Sequence, residues 1–165
     1  MERFLGLGIF DPALGSDPLL FPDLDALIAE LGIGDSVARI SVPHADNPLL
    51  YSAATAFAFP SCYEGFGLPP LEAMACGAPV VCSSASSLPE VVGDAALLAA
   101  PDDVPAWTAA LWRLLADAGL RADLRARGLQ QAARFSYAQN ARDTLEVYRV
   151  AGSQVRRLTR CRFEG

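Results

Sequence analysis

Two glutamates, Glu64 and Glu72, bracket the run Gly65-Phe66-Gly67-Leu68-Pro69-Pro70-Leu71. A carboxylate accepts hydrogen bonds and donates none, so such a pair suits a ligand rich in hydroxyl groups. Gly65 and Gly67 lack Cβ atoms, which lets the backbone take positive φ and come close to that ligand. Pro69 and Pro70 suit the first turn of a helix, where an N–H would go unpaired anyway. A helix start also attracts anions. Glu64 is expected in the loop and Glu72 in the first turn of the helix, on either side of that start. Hydroxyl groups at two ends with phosphate between them is the layout of a nucleotide-sugar.

The flanking residues supply the frame that must hold this loop. Thr55 to Phe59 is an Ala/Phe-rich run short enough for one strand. Leu71, Met74 and Ala75 are expected to form the apolar stripe of a short helix that Gly77 stops, and Ala78 to Cys82 reads as the next strand. Strand, loop, helix and strand in this order place the glycines at the C-terminal edge of a sheet, where open α/β folds bind ligands. Arg3 to Phe10 and Val37 to Val42 read as further strands, with Asp11 to Pro22 as a loop. Between those strands Leu24, Leu27, Ile28 and Leu31 fall on one face of a helix, Asp23 to Leu31, that Gly32 ends. Asn47 to Ala54 is a short helix, Ser83 to Ser87 a serine loop, Leu88 to Val92 a helical turn with Glu90 at its tip, and Ala95 to Ala99 a strand. Pro101-Asp102-Asp103 caps a helix to about Ala116, with Trp107, Ala110, Leu111, Leu114 and Leu115 inward. Leu120 to Phe135 and Tyr137 to Val150 are two more helices, with Ser136 as a candidate cap. The fold class is α/β: a Rossmann-like parallel sheet of about five strands, flanking helices and a C-terminal helical stretch.

From about Arg3 to Val150 the chain resembles the donor-binding, C-terminal domain of retaining family 4 glycosyltransferases, whose two-domain architecture is called GT-B. The glutamate pair with Gly-Phe-Gly-Leu-Pro inside it and Glu72-Ala73-Met74-Ala75-Cys76-Gly77 at its end carry the resemblance. Leu31 to Val37, Tyr51 to Ala54, Phe59-Pro60-Ser61 and Leu88 to Asp94 look like the family's other segments, in the family's order. The resemblance implies a UDP- or GDP-sugar as substrate, no cofactor and no metal. It implies that Glu72 binds the ribose hydroxyls and that Glu64, the candidate catalytic residue, contacts the transferred sugar. Phe66, Gly67 and Leu68 would offer backbone N–H groups to the sugar or its phosphates, and Gly65 is a further candidate binding residue. For Glu90 the family's donor-facing loop and a solvated surface acid both stay open.

The resemblance also implies pieces that this chain does not offer. The family's donor domain begins with one more strand, carrying an arginine and a lysine that neutralise the diphosphate. This chain resembles it from the following strand onward and contains no lysine. A slot in the sheet is therefore expected, closed by sliding the halves together, filled by another segment, or completed by an acceptor-domain polypeptide or a second copy. Little or no turnover is expected of the chain alone. A non-catalytic nucleotide-sugar-binding fragment or a split-enzyme subunit is the alternative.

Composition bounds these readings. The length of 165 residues fits one domain, and 52% hydrophobic residues is ample for a core. Residues 1–100 hold two arginines against twelve acids, which disfavours nucleic acid as a partner. Cys62, Cys76, Cys82 and Cys161 show no metal-ligand spacing, and His44 is the only histidine. Reduced thiols in a cytoplasmic protein follow. No apolar run reaches the length of a membrane span. Residues 1–150 form the expected domain. Residues 151–165 form an arginine-rich tail (Arg156, Arg157, Arg160, Arg162), solvated or in contact with a membrane surface or an acceptor domain. Asp23-Leu24-Asp25 has the form that binds metal in another glycosyltransferase class, but acids at a helix start are explained by capping. A glycosidase using Glu64 and Glu72 and a dinucleotide oxidoreductase are both disfavoured. The second lacks the third glycine and an acid placed for the ribose.

Overall fold

The structure, a computed structural model, describes residues 6–7 and 23–161, with side chains described for residues 23–152. Strands β1 (Gly6–Leu7), β2 (Phe57–Phe59), β3 (Val80–Ser83) and β4 (Ala96–Ala99) form one sheet. They lie parallel and in chain order. Successive side chains on a strand point to opposite faces. Phe57, Val80 and Cys82 accordingly join a core with Tyr51, Met74, Leu88 and Val92 on one face. Ala58 and Val81 join Trp107, Ala110, Leu114 and Leu124 on the other. A parallel sheet needs both faces covered, and these two clusters cover it.

Four strands form among the described residues, one fewer than expected. Val37 to Val42 is irregular, and Val37 and Ile40 are exposed. A strand forms only against a ladder, and no ladder among the described residues includes this stretch; β2 pairs with β1 instead, with Gly6 opposite Phe57 and Leu7 opposite Ala58. β1 and β2 pair directly, so no vacant slot lies between them. Of the expected strand Arg3 to Phe10, only Gly6 and Leu7 are described, and the expected loop Asp11 to Pro22 lies outside the described residues.

Helices α1 (Leu24–Leu31), α2 (Asn47–Ala53) and α3 (Leu68–Ala75) fall where the periodicity and caps put them. Asp23 caps α1 by accepting from the N–H groups of Asp25 and Ala26, and Gly32 ends it at φ +63°. The apolar face of α1 is nonetheless unburied: Leu24, Leu27 and Leu31 are all exposed. On α3 the buried stripe is Pro70, Ala73 and Met74, while Leu71 is half-buried and Ala75 exposed. The expected stripe was rotated because the helix packs where Gly128 admits it. A Cβ on Gly128 would lie 3.3 Å from Met74 Cγ.

Helices α4 (Leu88–Val92), α5 (Val104–Ala116) and α6 (Ala118–Ala132) complete the layers. Asp103 caps α5 as expected; Trp107, Ala110 and Leu114 are buried beneath it, and Leu111 and Leu115 are half-buried. Helix α7 (Tyr137–Cys161) follows Ser136, whose hydroxyl accepts from Gln139 N–H at 3.4 Å. It runs past Val150 without a break, so Arg156, Arg157 and Arg160 stand on a helix and not in an irregular tail. Arg162 lies outside the described residues. No described helix is long and apolar enough to cross a membrane.

Candidate functional site

Gly67 sits between β2 and α3 and sets the geometry of the whole loop. It is the N-cap of α3 at φ +103°, and a Cβ there would come within 2.6 Å of Leu88 Cδ2. Both the backbone and the space require glycine. Pro69 and Pro70 follow at the second and third helical positions, so two of the N–H groups that a helix start ordinarily offers are absent. The donors shift to the loop. The N–H groups of Gly65, Phe66 and Gly67 have no acceptor among the described residues.

The other side of this loop is held by serine. Ser86 Oγ donates to the Glu64 carbonyl and accepts from the Glu64 N–H at 3.3 Å. Ser87 Oγ lies 3.0 Å from the carbonyls of both Glu64 and Phe66. The Phe66 ring turns onto Phe135 in an edge-to-face contact with centroids 5.7 Å apart. Gly65, Phe66 and Leu68 remain exposed, so the loop forms an open ledge rather than a walled pocket.

Glu64 is half-buried, and its carboxylate has no partner among the described residues. Glu72 is placed in the second turn of α3 and not in the first, because the helix begins at Leu68. Its Oε2 accepts from the Tyr51 hydroxyl of α2 at 3.3 Å. Burial, and then the negative charge of Glu72, push the Tyr51 phenol well above its ordinary value. Tyr51 therefore stays a donor, and it fixes one oxygen of Glu72 while leaving the other available. Glu90 is exposed on the first turn of α4, three residues from Ser87. The structure thus brings Glu64 to Leu68 together with Ser86 and Ser87 at the head of α3. Glu72 is tied to α2 one turn below, and no hydrogen bond joins it to Glu64 or Glu90 among the described residues.

Residues singled out for other chemistry are accounted for locally. Asp23 is a helix cap, and Asp25 pairs with Arg39 at 2.8 Å. His44 Nδ1 lies 3.0 Å from Asn47 Nδ2 within its own turn. A shallow depression at the other end of the strands is lined by Thr55, Gly77, Pro79, Arg121 and Arg125. Arg121 there caps the carbonyls of Leu114 and Leu115, and Arg125 lies over Gly77. Packing explains that depression.

Sequence reasoning missed Tyr51, Ser86 and Ser87 as parts of the site. Tyr51 carried no signal beyond its place in a resembling segment, since its partner is twenty-one positions away. Ser86 offered none before its φ of +58° was known.

The family model described as "Glycosyl transferases group 1" matches residues 21–131. O-antigen chain mannosyltransferase B of Escherichia coli is 53% identical over 109 residues, covering 66% of this chain and 29% of that protein. D-inositol 3-phosphate glycosyltransferase of Salinispora tropica is 46% identical over 126 residues, covering 74% of this chain and 26% of that protein. The chain therefore spans under a third of the length of these curated relatives. Among solved structures, sucrose-phosphate synthase of Thermosynechococcus elongatus superposes with a TM-score of 0.76 at 32% identity, over 90% of this chain and 38% of that one. HepE of Anabaena, solved with UDP-glucose, gives a TM-score of 0.69 at 26% identity, over 76% of this chain and 36% of that one.

Proposed function

This chain belongs to the family of glycosyl transferases group 1, and from that premise we propose that it is a donor-binding domain of the retaining, family 4 kind. It binds a nucleotide-sugar on the ledge at the head of α3. The observation that carries the reading is the loop Gly65–Gly67, whose N–H groups have no acceptor among the described residues and stand at the C-terminal edge of a parallel sheet. Those amides and the positive end of α3 receive the diphosphate. Glu72, steadied by Tyr51, binds ribose hydroxyls with its free oxygen. Glu64 contacts the sugar, and Glu90 borders the donor from α4.

In transfer, the bond between the sugar's anomeric carbon and the diphosphate breaks, an acceptor hydroxyl oxygen takes its place on the same face, and the hydroxyl's proton passes to the leaving diphosphate. Negative charge grows on the leaving diphosphate, and preorganised N–H groups stabilise such charge without reorganising. The sequence has no lysine, so any cationic help from this chain comes from its arginines. The acceptor site lies on a second domain in this architecture. The names of the relatives put mannose first among sugars to try, and the ligand of HepE puts UDP first among nucleotides.

Titration calorimetry with UDP, GDP, UDP-glucose and GDP-mannose tests this, with EDTA present to hold metal away. At least one ligand should bind undiminished by EDTA. Glu72→Gln should weaken it by about tenfold, the loss of a charged hydrogen bond. Binding by none of the four, or full affinity in Glu72→Gln, would sink the assignment.

A further inference from the structure

We infer that Ser86 and Ser87 are positioning residues for the donor: their hydroxyls pin the carbonyls of Glu64 and Phe66 so that the Gly65 and Gly67 N–H groups face the diphosphate. The inference rests on the donor-site reading above.

The proton count supports it. Two hydroxyls carry two protons, and three carbonyl contacts compete for them. Ser86 can donate to the Glu64 carbonyl while its oxygen accepts the Glu64 N–H. Ser87 is then free to donate to the Phe66 carbonyl at 3.0 Å. In this assignment each proton has one acceptor, and neither carbonyl is left bare.

Peptide geometry does the rest. No peptide bond in the described chain is cis. In a trans peptide the C=O of one residue and the N–H of the next point in opposite directions. Holding the Glu64 carbonyl against the serine loop therefore turns the Gly65 N–H away from it. Holding the Phe66 carbonyl does the same for Gly67. Neither N–H finds an acceptor among the described residues. Two donors are thus aimed away from the protein's own acceptors by hydroxyls that need not touch the ligand themselves.

Ser86 adopts φ +58°, the only non-glycine residue in the described chain with positive φ. A serine there is disfavoured relative to glycine, whose backbone enters that region freely. The hydroxyl is what glycine would not supply. Backbone in sparsely populated regions clusters where a site is preorganised, and here the side chain so placed grips the glutamate loop from twenty-two positions away.

The test uses the full chain and NMR titrations with UDP, GDP, uridine and guanosine, beside thermal melts. Ser86→Gly relieves the backbone and removes the hydroxyl; Ser87→Ala removes the other hydroxyl; Ser87→Thr keeps it. Ser86→Gly and Ser87→Ala should each weaken the bound diphosphate by about tenfold. Nucleoside affinity should stay unchanged, Ser86→Gly should leave the melting midpoint no lower, and Ser87→Thr should restore diphosphate binding. Wild-type diphosphate affinity in both hydroxyl-deleted variants overturns the role of the serines alone. Equal losses for nucleoside and diphosphate also overturn it, because they mark a merely structural part. A wild-type chain that binds no diphosphate overturns the donor-site reading itself, and the role of the serines with it.

Discussion

Replacing Gly67 by alanine probes the contact on which the loop is built. The new Cβ would meet Leu88 Cδ2 at 2.6 Å, and Leu88 is fully buried, so its side chain has little room to swing aside. Such overpacking costs about 1–3 kcal/mol. The φ of +103° adds roughly 1–2 kcal/mol for a residue with a Cβ. Gly67→Ala should therefore destabilise the fold by roughly 2–5 kcal/mol, a large part of the ~5–15 kcal/mol typical of a domain. Leu88→Ala alone should cost about 2–5 kcal/mol through the cavity it leaves. In the double variant the clashing atoms are gone and only the backbone cost of Gly67→Ala remains. The pair should then be non-additive by about 1–3 kcal/mol in the direction of rescue. Urea unfolding at 25 °C, followed by the fluorescence of buried Trp107, measures all three variants on one scale. Strict additivity, or a Gly67→Ala cost below about 0.5 kcal/mol, would show that Leu88 does not dictate this glycine.

Two further outcomes follow from other parts of the molecule. Burial pushes the Cys82 thiol up to about 12 and holds the Tyr51 phenol above its ordinary value. Both groups keep their protons in the folded chain at pH values where the unfolded chain has lost them. Their stabilising effect is complete below about pH 9, and stability should fall from there as Cys82 comes into play, more steeply above about pH 10 as Tyr51 joins it. Each contributes a slope of about 1.4 kcal/mol per pH unit; Cys82→Ala should remove the first and Tyr51→Phe the second, as read from urea midpoints between pH 8 and 11. Asp23→Ala deletes a cap that accepts from two N–H groups, ordinarily worth about 1 kcal/mol. Because α1 buries no side chain, that loss should appear as faster hydrogen exchange at Asp25 and Ala26, with the global urea midpoint unmoved. A shifted global midpoint would show that α1 is part of the cooperative core.

How much of this was legible in the chain depended on how local the cause was. The caps Asp23, Asp103 and Ser136 and the stops Gly32 and Gly77 act within a few residues, and each proved to be where the sequence put it. Val37 to Val42 has the composition of a strand, but a strand needs a neighbour. The choice of neighbour is made by β1 and β2, which are remote from it in sequence. The stripe on α3 was misread for the same reason, since Gly128 of α6 decides which face of that helix can be approached. At the candidate site the division is sharper. Glu64, the two glycines and Glu72 could be picked out because their types and spacing are themselves the chemistry. Their supports could not: Tyr51 reaches Glu72 from another helix, and Ser86 reaches Glu64 through a backbone angle that a serine's identity would argue against. Glu72 shows what that costs a reading made from spacing alone. Counting from the prolines put Glu72 in the first turn of the helix, flanking the site expected for an anion. Starting α3 at Leu68 moves it one position further along, out of the first turn, and the fold gives it a phenol for a neighbour. A carboxylate so placed is well sited to accept from hydroxyl donors, which is the role proposed for it with the ribose.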